Sequence, residues 1–336
     1  MMHRRHDIDG LRGLAVVLVM FFHAGWLSGG FVGVDVFCVI SGYYMSQTAL
    51  MSASFSPWTF ITHRLQRLLP ALLFMVALVC AAMLWWLLPR DRADIAQNGM
   101  TALLYFSNLW AHEHAGYFAG QSLAYPFLHT WSLSVEMQFY LLILLLGMAR
   151  QGWLALCLIG AGSLLSSQAG WGMGYYGLTD RLWQFALGGA IAYLPARQLA
   201  RVPSSLLYAA AVAAIVACGF LYTNANASPS LWSIVPCLAA ALIILLPESP
   251  AQRVLNTLSP VGLISYSLYL WHWPIIVGAT YLFERQITGL SMVLALLVSL
   301  LMGVISYAFI EKRLSAVRLI AMNLGVAAAL YGISIW

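Results

Sequence analysis

Residues 290–310 read LSMVLALLVSLLMGVISYAFI, a run without a single charged side chain. About 20 consecutive apolar residues are enough for an α-helix to cross the hydrocarbon core of a bilayer. The run is apolar throughout and lacks the alternation of polar and apolar residues that marks a strand of a membrane barrel. It therefore predicts a transmembrane helix.

Runs of this kind recur along the whole chain of 336 residues, which is 62% hydrophobic and only 8% charged. An ordinary soluble domain has roughly a quarter of charged residues. We predict an all-α fold, a polytopic transmembrane helix bundle of ten spans plus an eleventh, C-terminal span. The predicted spans cover residues 12–28, 31–49, 69–88, 131–148, 153–168, 182–195, 204–222, 231–247, 261–282, 290–310 and 317–335.

The basic residues predict the orientation of these spans, because Lys and Arg concentrate on the cytoplasmic side of membrane proteins. If the N-terminus is cytoplasmic, most of them fall at cytoplasmic ends: Arg4, Arg5, Arg12, Arg64, Arg67, Arg150, Arg197, Arg201, Arg253, Lys312, Arg313 and Arg318. The outer loops then keep Arg90, Arg92, Arg181 and Arg285. The charge pattern thus predicts a multi-pass protein with its N-terminus in the cytoplasm.

The simplest domain organisation is one membrane domain over residues 1–316, followed by a terminal span over residues 317–336. Residues 89–130 are predicted to form a long outer segment, in which 96–110 is apolar enough to lie in the membrane interface. The terminal span either closes the bundle or serves as the stalk of an outer soluble domain, which this sequence does not contain.

Several function classes lack their sequence signals. The net charge of +5 comes from scattered residues, so binding of nucleic acid is not predicted. The five cysteines lie in apolar runs without a CxxC pair, and the two histidines of His112-Glu113-His114 are spaced unlike metal ligands. No metal is predicted, and the HExxH, P-loop, GxSxG and HxxxxD motifs are absent.

Ionisable side chains inside apolar spans are functional candidates, because they are costly in hydrocarbon. Arg12 and His23 share one face of the first span and are about 16 Å apart along its axis. This places Arg12 at the cytoplasmic edge and His23 near the bilayer midplane; the alternative for His23 is a core histidine bonded to a carbonyl.

Asp35 in the second span either orients His23 or caps the outer hairpin turn. Gly29, Gly30, Gly33, Ser41 and Gly42 give this span a small-residue surface that lets another helix approach closely.

A second group of polar residues lies in the fourth and ninth spans. His129, Glu136 and Tyr140 are expected on one helix face, and a buried Glu either pairs with a cation or moves protons. A structural ion pair is the alternative. Tyr269 and His272 share a face of the ninth span, where Pro274 frees a backbone carbonyl; the alternative is an aromatic belt at the membrane interface.

Arg64 and Arg67 lie one helical turn apart in a predicted cytoplasmic loop before Pro70. Two guanidinium groups at this spacing suit phosphates, although anchoring at the membrane surface explains them equally well. Together with Arg12, they could hold the phosphates of a nucleotide-bearing donor such as coenzyme A.

At these residues the sequence resembles the acyltransferase-3 family of integral membrane acyltransferases. The matching stretches are Asp7 to Gly13 with His23, Gly29 to Tyr43, His63 to Pro70, His129 to Tyr140, and Ser265 to Pro274. The family pattern includes a basic residue before a histidine, met by Arg12 and His23, an Arg-x-x-Arg pair, met by Arg64 and Arg67, and a glutamate, met by Glu136. The chain departs from it at Cys38, His63, Met137 and Arg313.

The resemblance implies an enzyme of the bacterial inner membrane that moves an acyl group, most often acetyl, from cytosolic acyl-CoA to hydroxyls of an envelope glycan such as O-antigen, exopolysaccharide or peptidoglycan. His23 is then the base or transient acyl carrier, with Glu136 or Asp35 tuning it. Arg12, Arg64 and Arg67 hold the donor.

Four further side chains are expected to line the path to the acceptor: His129, Tyr140, Tyr269 and His272. Some members of the family carry an outer SGNH hydrolase-like domain, so a separate outer-side transferase is an expected partner. The competing interpretation is a transporter of a lipid-linked saccharide or of protons, in which midplane His and Glu residues would form a relay.

Overall fold

The computed structural model describes residues 5–86, 89–114, 125–149, 152–194, 204–227, 230–246, 249–283, 287–311 and 316–335. These residues form helices joined by turns and contain no β-strand. The α-helices are α1 (His6–His23), α2 (Val32–Met45), α3 (Pro57–Trp86), α4 (Pro89–Leu103), α5 (Ser107–His114), α6 (Trp131–Met148), α7 (Trp153–Gln168), α8 (Leu178–Ile191), α9 (Ser204–Leu221), α10 (Ile234–Leu245), α11 (Gln252–Asn256), α12 (Ser259–Leu263), α13 (Ser265–Phe283), α14 (Leu290–Phe309) and α15 (Ala316–Ser334). The predicted all-α fold class is confirmed.

Several helices begin or end away from the predicted spans. α6 and α7 match the predictions, whereas α1 begins at His6 and already ends at His23. α3 begins at Pro57, a residue whose fixed backbone angle suits the first turn of a helix. Arg64 and Arg67 therefore lie inside α3, and their predicted position in a loop is wrong. The segment predicted to be outside the membrane also contains two helices, α4 and α5.

Four helical stretches of the described chain are long and apolar enough to cross a membrane by themselves: Pro57–Met83, Leu128–Met148, Ser204–Leu221 and Leu290–Phe309. Shorter apolar helices cover Trp153–Gln168, Leu231–Leu245 and Arg318–Ser334. The count of ten spans plus one therefore stays a prediction. So does the orientation, which depends partly on residues outside the described ones: Arg4, Arg150, Arg197, Arg201, Arg285, Lys312 and Arg313.

The chain forms two compact units, each built from two stretches of sequence. The first unit comprises Met1–Pro57 and Phe139–Ser265, and the second comprises Trp58–Gln138 and Tyr266–Trp336. In the first unit α1 packs against α2, α11 and α12, α2 packs against α8 and α10, and α7 and α9 cover α8 and α10. In the second unit α15 packs against α4. The predicted domain boundary at residue 316 stays a prediction.

Glycines let α2 approach its neighbours within the first unit. A Cβ atom on Gly42 would overlap the backbone carbonyl of Phe185 on α8, and one on Gly188 would overlap the carbonyl of Val39. Likewise, a Cβ atom on Gly33 would overlap the carbonyl of Ala15 on α1. The predicted small-residue surface on the second span is therefore confirmed at Gly33, which contacts α1, and at Gly42, which contacts α8.

A buried ion pair joins α2 to α8 at the same interface. Arg181 Nη1 donates to Asp35 Oδ1 at 3.0 Å, and Gln184 Nε2 donates to the same oxygen at 2.8 Å. The side chains of Arg181 and Asp35 are only 1% and 2% exposed. Arg181 also lies 4.6 Å from the ring centre of Tyr175. The predicted position of Arg181 in an outer loop is wrong, because α8 begins at Leu178 and the pairing with Asp35 allows its charge to be buried.

In the second unit, one face of α6 holds the turn between α4 and α5. Ser134 Oγ lies 2.8 Å from Ser107 Oγ, and Gln138 Nε2 donates to Asn108 Oδ1 at 2.8 Å. Tyr105 in this turn has a positive φ of 58°, a conformation that non-glycine residues seldom adopt. These polar bonds fix α6 and the residues that precede it.

Substituting Gly188 with Ala tests the close approach of α2 and α8. The added methyl group meets the backbone of Val39, so we expect a loss of about 1–3 kcal/mol in stability, measured as a lower thermal midpoint in nanodiscs. Gly162→Ala on α7 is the matched control, since nothing lies within 4 Å of its Cβ position. Equal midpoints for the two variants would contradict the packing described.

Breaking the ion pair with Asp35→Ala leaves the Arg181 charge buried and uncompensated. We expect a loss of about 3–5 kcal/mol, seen as a large drop in thermal midpoint. Replacing both residues, with Asp35→Leu and Arg181→Met, is expected to recover most of that loss, because an apolar pair of similar size needs no partner. A double variant as unstable as the single one would show that the pair is not the source of the stability.

Candidate functional site

α1 carries two of the predicted residues of the first unit. The guanidinium carbon of Arg12 lies 5.5 Å from the ring centre of Tyr44, and the Arg12 side chain is half-buried. His23 is the last residue of α1 and is also half-buried. α1 includes the whole stretch from Arg12 to His23, so the two residues are about 16 Å apart along its axis, as predicted. The midplane depth of His23 stays a prediction.

Asp35 does not orient His23 through a direct contact. Gly33 packs against Ala15, which precedes His23 by about 12 Å along the axis of α1, so Asp35 lies even farther from the end of that helix. Its carboxylate accepts hydrogen bonds from Arg181 and Gln184 instead. Neither of the two roles expected for Asp35, orienting His23 or capping the hairpin turn, matches these bonds.

Three aromatic side chains form a compact group in the second unit, which we name the His129 cluster: His129, Tyr269 and His272. The ring centres are 5.4 Å apart for His129 and Tyr269, 5.6 Å for His129 and His272, and 5.5 Å for Tyr269 and His272. All three side chains are buried. The structure thus brings together three of the four residues predicted for the transfer path.

Pro274 frees the carbonyl that His129 binds. A proline has no N–H group, so the carbonyl of Leu270, four residues earlier, loses its helical partner. His129 Nε2 lies 3.1 Å from this oxygen, and a carbonyl can only accept, so Nε2 carries the hydrogen. His272 Nδ1 lies 2.7 Å from the carbonyl of Tyr269 and is protonated for the same reason. The carbonyl predicted to be freed by Pro274 is therefore confirmed as a binding point.

A hydroxyl pair connects the cluster to α6. Tyr269 Oη donates to the carbonyl of His129 at 2.7 Å, and Ser132 Oγ lies 2.7 Å from Tyr269 Oη. Since the single phenolic hydrogen is used, Ser132 is the donor in this second bond. Glu136 lies one turn beyond Ser132 on the same face of α6, and it is half-buried.

One predicted arrangement on this face is wrong. Glu136 and Tyr140 do share a side of α6, but His129 precedes the helix in a 3₁₀ turn over Leu128–Thr130. Tyr140 is buried and follows the point where the chain enters the first unit. His129 thus reaches its position through the turn rather than through helical spacing.

The predicted donor arginines of the second unit lie on α3. Arg64 is half-buried, with its guanidinium carbon 5.5 Å from the ring centre of Phe60, and Arg67 is exposed one turn later. Nearby, Tyr266 Oη donates to the carbonyl of Leu68 at 2.6 Å and ties α13 to this part of α3. Two guanidinium groups on a fixed helix could bind the phosphates of a nucleotide.

Sequence reasoning missed the polar partners of these residues. Ser132 precedes Glu136 by one helical turn, and Gln184 follows Arg181 by nearly one turn, so their spacing was a usable signal. The pairing of Arg181 with Asp35 had no such signal, because the two residues are far apart in the chain. Within the described residues, no group of three His, Cys, Asp or Glu side chains is arranged to hold a metal ion.

Comparison with known proteins gives relatives of two kinds. A protein of Komagataeibacter xylinus that is provisionally named membrane-bound transacylase BcsY is 51% identical to this chain. The match covers 99% of this chain and 92% of BcsY. O-acetyltransferase OatA of Staphylococcus aureus is 31% identical over 90% of this chain, which spans 56% of OatA. YrhL of Bacillus subtilis, provisionally named a peptidoglycan O-acetyltransferase, is 31% identical over 92% of this chain and 55% of its own length. No solved structure matches the chain.

A family model described as an acyltransferase domain matches residues 5–311, nearly the whole chain. The matched region includes α1 with Arg12 and His23, the arginines of α3, and the His129 cluster. The relatives carry names of acyl-transferring enzymes. The chain therefore belongs to the acyltransferase-3 family and is a multi-pass membrane acyltransferase.

Proposed function

We propose that this enzyme takes an acyl group, acetyl in the first place, from cytosolic acyl-CoA and transfers it to hydroxyl groups of a cell-envelope glycan such as O-antigen or exopolysaccharide. The observation that supports this most is the His129 cluster, a buried group of imidazole and hydroxyl side chains within apolar helices. Such groups bind and orient hydroxyls. The proposal places the protein in the bacterial inner membrane with its N-terminus in the cytoplasm.

The donor is proposed to bind through three arginines. Arg64 and Arg67 present two guanidinium groups on one side of α3, and Arg12 presents a third on α1. Guanidinium groups form paired, charge-assisted hydrogen bonds with phosphate oxygens. Acyl-CoA carries several phosphates far from its thioester, so these residues would hold the donor without touching the reacting carbonyl.

His23 is proposed as the base or the transient carrier of the acyl group. Attack by a hydroxyl on a thioester requires removal of the alcohol proton and stabilisation of the oxyanion. Glu136 is proposed to tune the reaction. Asp35 is proposed to act indirectly, by holding Arg181 inside the first unit.

His129, Tyr269, His272 and Tyr140 are proposed to line the path to the acceptor. OatA is named an O-acetyltransferase, which supports acetyl as the transferred group and oxygen as the acceptor atom. A separate outer-side transferase is a proposed partner, by analogy with family members that carry an outer domain.

The first test of the proposed function is acetyl-CoA turnover by purified protein in nanodiscs, with and without oligosaccharides such as cellotetraose and chitotetraose. For His23→Ala we expect a rate lower by about a hundredfold or more, because a positioned base contributes about that much. The release of free CoA and the transfer of radiolabelled acetyl groups are measured together. His112→Ala, an exposed position on α5, is the control and should retain wild-type turnover.

Two outcomes would contradict the proposal. If the wild type leaves acetyl-CoA unchanged with every glycan supplied, a different donor or the transport of a lipid-linked saccharide or protons becomes the better explanation. If His23→Ala is folded and as active as the wild type, His23 is neither base nor carrier.

The donor site is tested by comparing acetyl-CoA with acetyl-pantetheine, which lacks the phosphates. We expect Arg67→Gln to raise the KM for acetyl-CoA about tenfold, since one charge-assisted hydrogen bond is worth roughly 1.5–3 kcal/mol. The double variant Arg64→Gln with Arg67→Gln should raise it further. Neither change should affect acetyl-pantetheine.

Arg253→Gln, at an exposed arginine of α11, provides the matched control for loss of one positive charge. Its KM for acetyl-CoA should equal that of the wild type. If the double variant still prefers acetyl-CoA over acetyl-pantetheine as strongly as the wild type, the two arginines do not bind the phosphates.

A further inference from the structure

One nitrogen of the His129 cluster has no role in the contacts described so far. The side chain of His129 is 1% exposed. Its Nε2 atom is bonded to the carbonyl of Leu270, whereas Nδ1 is buried and has no hydrogen-bond partner among the residues that the structure describes. Buried polar atoms of native proteins nearly always have a partner.

The protonation of the ring defines what this partner must be. Because Nε2 carries the hydrogen that is donated to Leu270, Nδ1 of the neutral imidazole holds a lone pair. It therefore requires a donor. A carboxylate, or a phosphate without hydrogen, would be repelled by this lone pair, so the missing partner must bring its own N–H or O–H group.

The two other members of the His129 cluster cannot supply that hydrogen. The only hydroxyl hydrogen of Tyr269 goes to the carbonyl of His129, and the Nδ1 hydrogen of His272 goes to the carbonyl of Tyr269. Both rings lie within 5.6 Å of the His129 ring, measured between centres.

We propose that His129 Nδ1 accepts a hydrogen bond from a hydroxyl group of the ligand, either a sugar hydroxyl of the acceptor or a water molecule. This inference rests on the proposed function and names the residue that binds the acceptor oxygen. Pro274 contributes to this binding site. The carbonyl that it frees accepts the Nε2 hydrogen of His129, and this tautomer leaves Nδ1 able to accept a hydrogen bond.

Two substitutions at His129 separate this role from a purely structural one. His129→Gln can still donate an amide hydrogen to the Leu270 carbonyl, as Nε2 does, but it has no acceptor at the position of Nδ1. His129→Asn places an amide near Nδ1, where its oxygen can accept, and loses the bond to Leu270. The proposal therefore predicts that His129→Gln is stable but transfers acetyl groups to the acceptor poorly. It predicts that His129→Asn is less stable but still transfers acetyl groups to the acceptor.

Kinetics measure the effect in two assays. One follows acetyl transfer to the oligosaccharide that the wild type uses, and the other follows hydrolysis of acetyl-CoA without any glycan. We expect His129→Gln to lower kcat/KM for the oligosaccharide at least tenfold, with its thermal midpoint and its KM for acetyl-CoA unchanged. An equal fall in hydrolysis identifies water as a ligand too. Unchanged rates in both assays, or loss of activity only in the Asn variant, would overturn the proposal.

Nitrogen NMR tests the contact independently of turnover. In protein labelled with ¹⁵N-histidine, the Nδ1 resonance of His129 is identified by its absence in His129→Gln. The resonance of an unprotonated ring nitrogen moves upfield when it accepts a hydrogen bond. A shift on adding the oligosaccharide supports a sugar hydroxyl, and a resonance already shifted without it supports water.

A resonance that stays at the position of an unbonded nitrogen under both conditions would disprove the hydroxyl contact. This result is distinguishable from failure of the proposed function. If the wild type consumes no acetyl-CoA, the donor assignment fails, while the NMR measurement still decides whether Nδ1 binds a hydroxyl group.

Discussion

Polar groups that these helices carry into apolar surroundings need hydrogen-bond partners there, and this constraint organises both units. In water an unpaired carbonyl or guanidinium is solvated at little cost, but in hydrocarbon it is costly. Arg181 and Asp35 meet the constraint by pairing with each other. The carbonyl of Leu270, freed by Pro274, meets it by accepting from His129.

The same constraint explains why the candidate site is rigid. Each member of the His129 cluster is held by a bond to backbone: His129 to Leu270, Tyr269 to His129, and His272 to Tyr269. Backbone acceptors cannot be protonated or rotated away, so both histidines keep one tautomer. A catalytic or binding group whose hydrogen position is fixed does not lose activity to reorientation. The hydrogen bonds that burial requires therefore also fix the orientation of the side chains that we propose to bind the acceptor.

Family membership and geometry contribute different parts of the functional argument. The match over residues 5–311 makes the chain an acyltransferase, but it does not say how any side chain is oriented. The geometry assigns the hydrogens of His129 and His272 and shows that Asp35 pairs with Arg181. It moves Arg64 and Arg67 from a loop onto a helix, where their spacing is fixed. The donor and the acceptor are proposals that join these two kinds of information.

The amino-acid pattern was enough to predict the all-α class, the family, and the chemical types at the site, because long apolar runs and rare polar residues are local signals. It also predicted that Pro274 frees a carbonyl, since the missing N–H is a property of one residue. The partner of each polar group could be found only from the packing of the helices. Arg181 pairs with Asp35, and His129 bonds to the carbonyl of Leu270, although the two partners of each pair are far apart in the chain. No local spacing encodes such pairs. They form because helices that pack against one another satisfy their buried polar atoms on each other.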